Sequence, residues 1–279
     1  MMETLFILLQ KILPQHLLSR ATGWLADLEW VWLKNALIRM FIGQYKVNMD
    51  EAVHSEPDAY RHFNAFFTRP LKEGVRPLAD AERFVLSPAD GAISQLGKIE
   101  SGDIFQAKGQ SYTAAQLLGG NAERAKPFEN GEFITVYLSP RDYHRVHAAI
   151  GGRLKASTYL PGELFSVNEA TARNIPELFA RNERLVALFD TELGEVAVVL
   201  VGAMIVAGIE TVWGGRMSAA STMPATSHNL SAGDELGRFY LGSTVILLFE
   251  PGKIRWLDDL SAGVPLKMGQ AIAQRVDTN

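Results

Sequence analysis

Tyr240-Leu241-Gly242-Ser243-Thr244-Val245-Ile246-Leu247-Leu248-Phe249 places a glycine and two hydroxyls directly before an unbroken apolar run. A run of this length, too short for a typical helix and rich in β-formers, reads as a buried strand. Gly242 reads as the bend that starts it. Runs of the same kind lie at 133–138, 196–201 and 204–209, each bounded by Gly, Pro, Asp or Asn. The chain from about residue 46 onward is therefore expected to be rich in strands, with one helix over 165–179 that Pro176 interrupts.

The N-terminal part has a different texture. Leu5, Leu8, Leu9, Ile12, Leu13 and Leu17 recur at spacings of three and four, as do Leu33, Leu37, Met40 and Phe41 against Lys34, Asn35 and Arg39. Both patterns predict amphipathic helices. Residues 1–48 carry five Lys/Arg, three Asp/Glu and three of the five Trp, so they are net positive while the whole chain is −4. Basic, Trp-bearing helices suit a membrane interface; packing on the core or on a second subunit is the plainer reading. The apolar run 5–9 has no basic residues before it and no small-residue cleavage site after it, so a retained segment is expected rather than a signal peptide. No stretch has the roughly 18 uninterrupted apolar residues of a spanning helix. The expected fold class is α+β: an N-terminal helical region, 1–48, then a β-rich core, 49–279. Phe67-Thr68-Arg69-Pro70-Leu71-Lys72 reads as the crossing between them.

Composition narrows the chemistry. The 279 residues are 47% apolar and 21% charged, which excludes a disordered chain and gives ample material for a core. There is no cysteine, which rules out disulfides, thiolate metal sites and a Cys nucleophile. The mildly acidic balance offers no general attraction to nucleic acid. Ser, His, Asp, Glu, Lys, a His/carboxylate metal site or a cofactor must supply any reaction.

Three short segments could do so. In Tyr143-His144-Arg145-Val146-His147 the two rings share a face on a helical turn and diverge on a strand. Structural histidines, a metal pair or a catalytic pair remain open, although no third ligand is evident for a metal. Ser87-Pro88-Ala89-Asp90-Gly91 reads as a plain turn, or as a turn that holds a carboxylate rigidly. Ser243 reads either as the start of a buried strand or as a fixed nucleophile. The hydrolase elbow G-x-S-x-G is absent, since positions 241 and 245 are Leu and Val. The nearest electrophile to Ser243 is the carbonyl of Gly242 itself.

Ser87-Pro88-Ala89-Asp90-Gly91, Asp142-Tyr143-His144-Arg145-Val146-His147 and Leu241-Gly242-Ser243-Thr244 occur in that order. With Phe66-Phe67-Thr68-Arg69-Pro70-Leu71, Pro161-Gly162-Glu163-Leu164-Phe165-Ser166-Val167-Asn168 and Phe249-Glu250-Pro251-Gly252, they make the chain resemble a bacterial, pyruvoyl-dependent phosphatidylserine decarboxylase. The resemblance covers the chain from about residue 30 onward.

It implies an enzyme made as a zymogen. Asp90 would orient His147, and His147 would deprotonate Ser243, the division of roles of a Ser-His-Asp triad. Autocatalytic cleavage of the Gly242-Ser243 bond would leave chains 1–242 and 243–279, associated as a heterodimer, with Ser243 converted to a covalent pyruvoyl group. That group would form a Schiff base with phosphatidylserine and release CO2 to give phosphatidylethanolamine. His144 would be the proton donor in decarboxylation. The implied cofactor is the pyruvoyl group alone, with no PLP and no metal. The implied partners are phosphatidylserine, a membrane surface and, in some assemblies, further copies of the chain, with no nucleic acid. The implied location is the cytoplasmic face of the bacterial cell membrane, as a peripheral protein, with Leu164 and Phe165 at the pocket mouth. Two rivals stand beside this reading: a serine hydrolase using Asp90, His147 and Ser243 without self-cleavage, and a membrane-associated β-domain without catalysis.

Overall fold

The computed structural model describes residues 2–107, 109–204, 208–217, 222–223, 228–240 and 243–276. Its order is N-terminal helices followed by a β-rich core, the α+β arrangement expected.

The core is organised by Ser243–Phe249. All seven residues are buried, and the strand pairs antiparallel with Glu132–Leu138 on one side and Gly194–Val201 on the other. Beyond Gly194–Val201 the sheet continues through Arg184–Thr191 and Gly152–Leu160. Beyond Glu132–Leu138 it continues through Gly91–Lys98 and Pro265–Leu266. Both faces of this sheet are covered, which is why the run carries no polar alternation. Val245, Leu247 and Phe249 pack with Val136, Val198 and Ile254 in one cluster. Ile246 and Leu248 pack with Phe128, Phe133 and Phe179 in the other. A fully buried aliphatic or aromatic side chain contributes about 1.5–3 kcal/mol, so this strand is held by its neighbours whatever happens to the backbone just before it.

On the Val245 face lie two smaller sheets. One contains Gly208–Thr211, Glu235–Tyr240 and Arg145–His147; the other contains Phe84–Leu86, Ala271–Arg275 and Ile254–Trp256. The expected strand 204–209 is described only from Gly208, because 205–207 lie outside the described residues. The expected helix 165–179 is instead two short helices, Glu169–Asn174 and Leu178–Arg181. Its first part is extended because Leu164 N and Phe165 N donate to Gln15 Oε1 and Asn182 Oδ1. Asn168 then caps the helix, its Oδ1 accepting from Thr171 N at 3.1 Å.

Helices α1 (Met2–Ile12), α2 (Gln15–Ala26) and α3 (Val31–Tyr45) precede the core. Pro14 separates the first two, since it cannot continue a helix begun before it. Besides burying Ile7, Ala26 and Ile38, they place some polar residues inward and leave several large apolar ones exposed. In α1, Gln10 faces inward and its Oε1 accepts from Ser166 N at 2.8 Å and Ser166 Oγ at 3.1 Å, while Leu8, Leu9 and Ile12 face out. In α3, Lys34 and Asn35, expected on a polar outer face, are buried: Lys34 Nζ donates to Asn35 Oδ1 and Pro57 O, and Asn35 bonds Asp58. Trp24, Trp30, Trp32 and Met40 are exposed. No described helix is long and apolar enough to cross a membrane. A short helix, α4 (Phe63–Phe67), is N-capped by His62 Nδ1, which accepts from Ala65 N at 3.1 Å.

Candidate active site

Ser243 is the first residue of the central strand and is fully buried, opposite Leu138. Directly after Leu138 the chain turns. Asp142 Oδ2 accepts from Ser139 N at 2.8 Å and from Ser139 Oγ at 2.6 Å, and Asp142 N donates back to Ser139 O. This self-bonded turn presents the Ser139 carbonyl to His144, whose Nε2 lies 3.1 Å away. A carbonyl can only accept, so Nε2 carries the proton and Nδ1 keeps a lone pair. That lone pair faces Ser243 Oγ at 3.4 Å. The Phe67 ring, at the end of α4, stacks on the imidazole with centroids 4.0 Å apart. Burial, helped by the charge of Arg69, lowers the His144 pKa to about 3 and holds the ring neutral.

His147 ends the strand Arg145–His147, and on this extended backbone the two rings serve different partners. His147 Nδ1 donates to Gly233 O at 2.8 Å, which leaves Nε2 to accept from Tyr143 OH at 3.1 Å. Its backbone N–H donates to Pro88 O at 2.8 Å, tying this strand to the turn that carries Asp90. Burial lowers the His147 pKa as well.

Asp90 is buried and fully engaged. It accepts from Arg76 Nε at 2.8 Å, Arg76 Nη2 at 2.5 Å, Lys267 Nζ at 3.2 Å and Met268 N at 2.9 Å. Burial by itself would raise its pKa, but the hydrogen bonds from Arg76 and Met268 and the charges of Arg76 and Lys267 bring it below the usual carboxylate value. Gly91 is required by close approach: a Cβ there would sit 2.3 Å from Tyr137 O on the neighbouring strand.

Asp90, His147 and Ser243 therefore stand on adjoining segments, with no hydrogen bond joining them among the described residues. His144 is the histidine that reaches Ser243. Gly242 and Leu241 lie outside the described residues. Leu164 and Phe165 are buried rather than set at a rim. Among the described residues no group of His, Asp or Glu is arranged to hold a metal.

A cavity of about 660 Å³ adjoins this cluster, with Asp90, Tyr137, Ser139, Asp142 and Tyr143 in its wall. Arg76 and Lys267 did not stand out in the residue pattern, and Tyr143 and Phe67 stood in quoted segments with no role assigned. A buried carboxylate demands a cation, yet nothing in the spacing of Arg76 or Lys267 says which cation answers Asp90.

The chain matches the family model described as phosphatidylserine decarboxylase over residues 63–274, and a second model, described as PSD, over residues 5–46. It is 57% identical over 284 residues to the phosphatidylserine decarboxylase proenzyme of Ectopseudomonas mendocina (strain ymp), covering 98% of both chains. It is 55% identical over 286 residues to that of Pseudomonas fluorescens (strain Pf0-1), covering 98% of this chain and 99% of the relative. To that of Stutzerimonas stutzeri (strain A1501) it is 53% identical over 290 residues, covering 100% and 97%. With identity at this level along the whole length, and with the buried Ser243–His144 contact at the head of the central strand, the chain belongs to the phosphatidylserine decarboxylase family.

Proposed function

We propose that this protein is a zymogen that cleaves itself between Gly242 and Ser243 and then decarboxylates phosphatidylserine to phosphatidylethanolamine. The observation that carries the reading is the Ser243 hydroxyl, buried at a strand end and 3.4 Å from an imidazole lone pair. A hydroxyl sealed from bulk solvent is a poor nucleophile for incoming water-borne substrates but a good one for its own peptide bond.

In the first stage Ser243 Oγ gives up its proton and attacks the Gly242 carbonyl carbon. The Gly242–Ser243 C–N bond breaks and an ester forms. Loss of the Ser243 Cα proton then breaks the ester C–O bond, releasing Gly242 as a carboxylate and leaving a dehydroalanine. Water hydrolyses that residue to a pyruvoyl group and ammonia. His147, with Asp90 on the turn bonded to its strand, is the activating pair in this reading. A second reading, favoured by the His144 Nδ1 contact, gives His144 the Ser243 proton directly.

Ser243 is the residue that would become the pyruvoyl group, and its surroundings suit it: full burial and one neutral ring. Such a group supplies an electron sink for the carbanion left when CO2 departs. The chain's own residues handle the protons. A substrate ammonium must lose a proton before its amine can react, and His144 Nδ1 can take that proton and return it to Cα after CO2 leaves. Phe67 and the buried strand end exclude water, which favours loss of a charged carboxylate.

The piece 243–279 would stay bound after cleavage. It supplies the central strand, Ile254–Trp256 and Ala271–Arg275 of a second sheet, and Pro265–Leu266 at the edge of the first. Residues 1–48 form the membrane-associating region and 49–279 the catalytic core in this proposal. The support is the apolar surface that this region leaves exposed: Leu8, Leu9, Ile12, Leu17, Trp24, Trp30, Trp32 and Met40.

Intact-mass analysis of the purified protein tests the reading. Two chains split after residue 242 are expected, the smaller one blocked to Edman degradation. A single unmodified chain of 279 residues overturns it and leaves the hydrolase reading standing.

A further inference from the structure

The cavity beside Ser139 contains an unusual arginine. Arg69 is 3% exposed, and its Nε and Nη1 are buried with no hydrogen-bond partner among the described residues. Only Nη2 is used, donating to Arg141 O at 3.0 Å and Asp142 O at 3.4 Å. A guanidinium with two unused buried donors is costly unless a ligand completes it. Arg69 lines the cavity, as do Arg141 and Lys46, which are exposed and make no ion pair among the described residues. The other two cations of the wall, Arg76 and Lys267, are taken up by Asp90 and Glu51. Asp142 is turned onto Ser139. The cavity therefore has three positive side chains with no carboxylate partner among the described residues, Arg69 deep and Arg141 and Lys46 near solvent.

We propose that this cavity binds the lipid headgroup and that Arg69, with Arg141 and Lys46, holds its phosphodiester. This inference rests on the decarboxylase reading. The substrate offers two anions, and chemistry separates them. The carboxylate loses its charge as CO2 forms, so a guanidinium on it would stabilise the ground state and slow the reaction. The phosphodiester keeps its charge throughout, so gripping it strengthens binding of substrate and transition state equally. The amine and carboxylate share one carbon, which must reach Ser243. The phosphate lies further along the headgroup, and Ser139, in the cavity wall, directly follows the residue paired with Ser243.

The test uses the self-processed enzyme with phosphatidylserine in detergent micelles and glycerophosphoethanolamine as probe, which has the phosphodiester and lacks the carboxylate. Competitive inhibition is expected in the wild type. In Lys46→Gln/Arg141→Gln the inhibition constant and KM should both rise by about tenfold, and in Arg69→Gln by about tenfold or more, with kcat within about twofold. Unchanged inhibition in both variants overturns the proposal. So does a fall in kcat for Arg69→Gln with inhibition unchanged, which would make Arg69 a positioning residue for the 139–144 turn or a carboxylate ligand. If Arg69→Gln does not fold, the rim double variant decides alone. If the wild type neither splits nor decarboxylates, the functional reading fails separately, and calorimetry with the same probe still decides whether the cavity binds a phosphodiester.

Discussion

Ser243 Oγ and His144 Nδ1 lie 3.4 Å apart although 99 residues separate them in the chain. Two local structures create the contact: the pairing of Ser243 with Leu138, and the Ser139–Asp142 turn that brings the chain back on itself. Because Nε2 donates to Ser139 O, the turn also selects the tautomer that offers Ser243 a lone pair.

The roles proposed for the two histidines can be separated. His147→Ala should accumulate full-length chain, and His144→Ala should still split after Gly242 while losing about 100-fold or more in decarboxylation, the usual range for a lost acid–base group. Gel analysis and CO2 release read the two steps independently. Loss of splitting in His144→Ala would mean that His144 takes the Ser243 proton itself, as the contact distance allows.

Acid should destabilise the folded chain through these rings. His144 stays neutral in the fold down to about pH 3, whereas a histidine in an unfolded chain takes up a proton near 6.5. Between those values the unfolded state binds the extra proton, so stability falls as pH drops from about 6.5 toward 3. The slope is about 1.4 kcal/mol per pH unit for one such group, and His147 acts in the same direction. Urea midpoints measured across pH 6.5 to 4.5 should fall less steeply for His144→Gln by about one proton. Parallel slopes would contradict the buried neutral ring.

The Asp90 ion pair should be asymmetric. Arg76 and Asp90 side chains are 7% and 3% exposed. Arg76→Ala leaves a buried carboxylate without its main partner and should cost about 3–5 kcal/mol. Asp90→Asn, which removes the buried charge, should cost less in stability while blocking self-cleavage in the proposed triad. Denaturant unfolding and gel analysis of the two variants give the comparison, and an equal loss would argue against a committed Arg76–Asp90 pair.

Membrane attachment should depend on the outward apolar residues of the first three helices. Replacing Ile12, Leu17 and Trp24 with Ser should reduce sedimentation with anionic liposomes by about tenfold or more, given roughly 25 cal/mol for each Å² of apolar surface lost to the lipid. Thermal unfolding should barely change, since these side chains are 80%, 65% and 67% exposed. Undiminished sedimentation would return these helices to a role in packing on another protein.

How much could be read in advance differed by element. The strands 133–138, 196–201 and 244–249 were legible because a strand covered on both faces needs a continuous apolar run, and few other structures do. The helical periodicity of Leu5 to Leu17 and of Leu33 to Phe41 was legible, although Pro14 divides the first stretch into two helices, but their facing was not. Periodicity tells which residues share a side and cannot tell which side is wet, so Lys34 was expected outside and lies inside, held by Pro57 O. The segment 165–179 was misread because the side-chain oxygens that accept from Leu164 N and Phe165 N and keep its start extended belong to Gln15 and Asn182, far away in the chain or beyond its end.

The site divides in the same way. The local order of residues carried the identities of Ser243, His144, His147 and Asp90, because a turn, a strand start and a closely spaced histidine pair are written in contiguous residues. It also carried the absence of cysteine, which excludes a thiol nucleophile and a thiolate metal site. Which histidine meets Ser243, which cations answer Asp90, and that Arg69 is left with two unused donors were settled by folding alone. Each is a pairing across tens of residues, made by strand register and by the cost of leaving a buried charge unmet, and neither quantity exists until the chain has closed on itself.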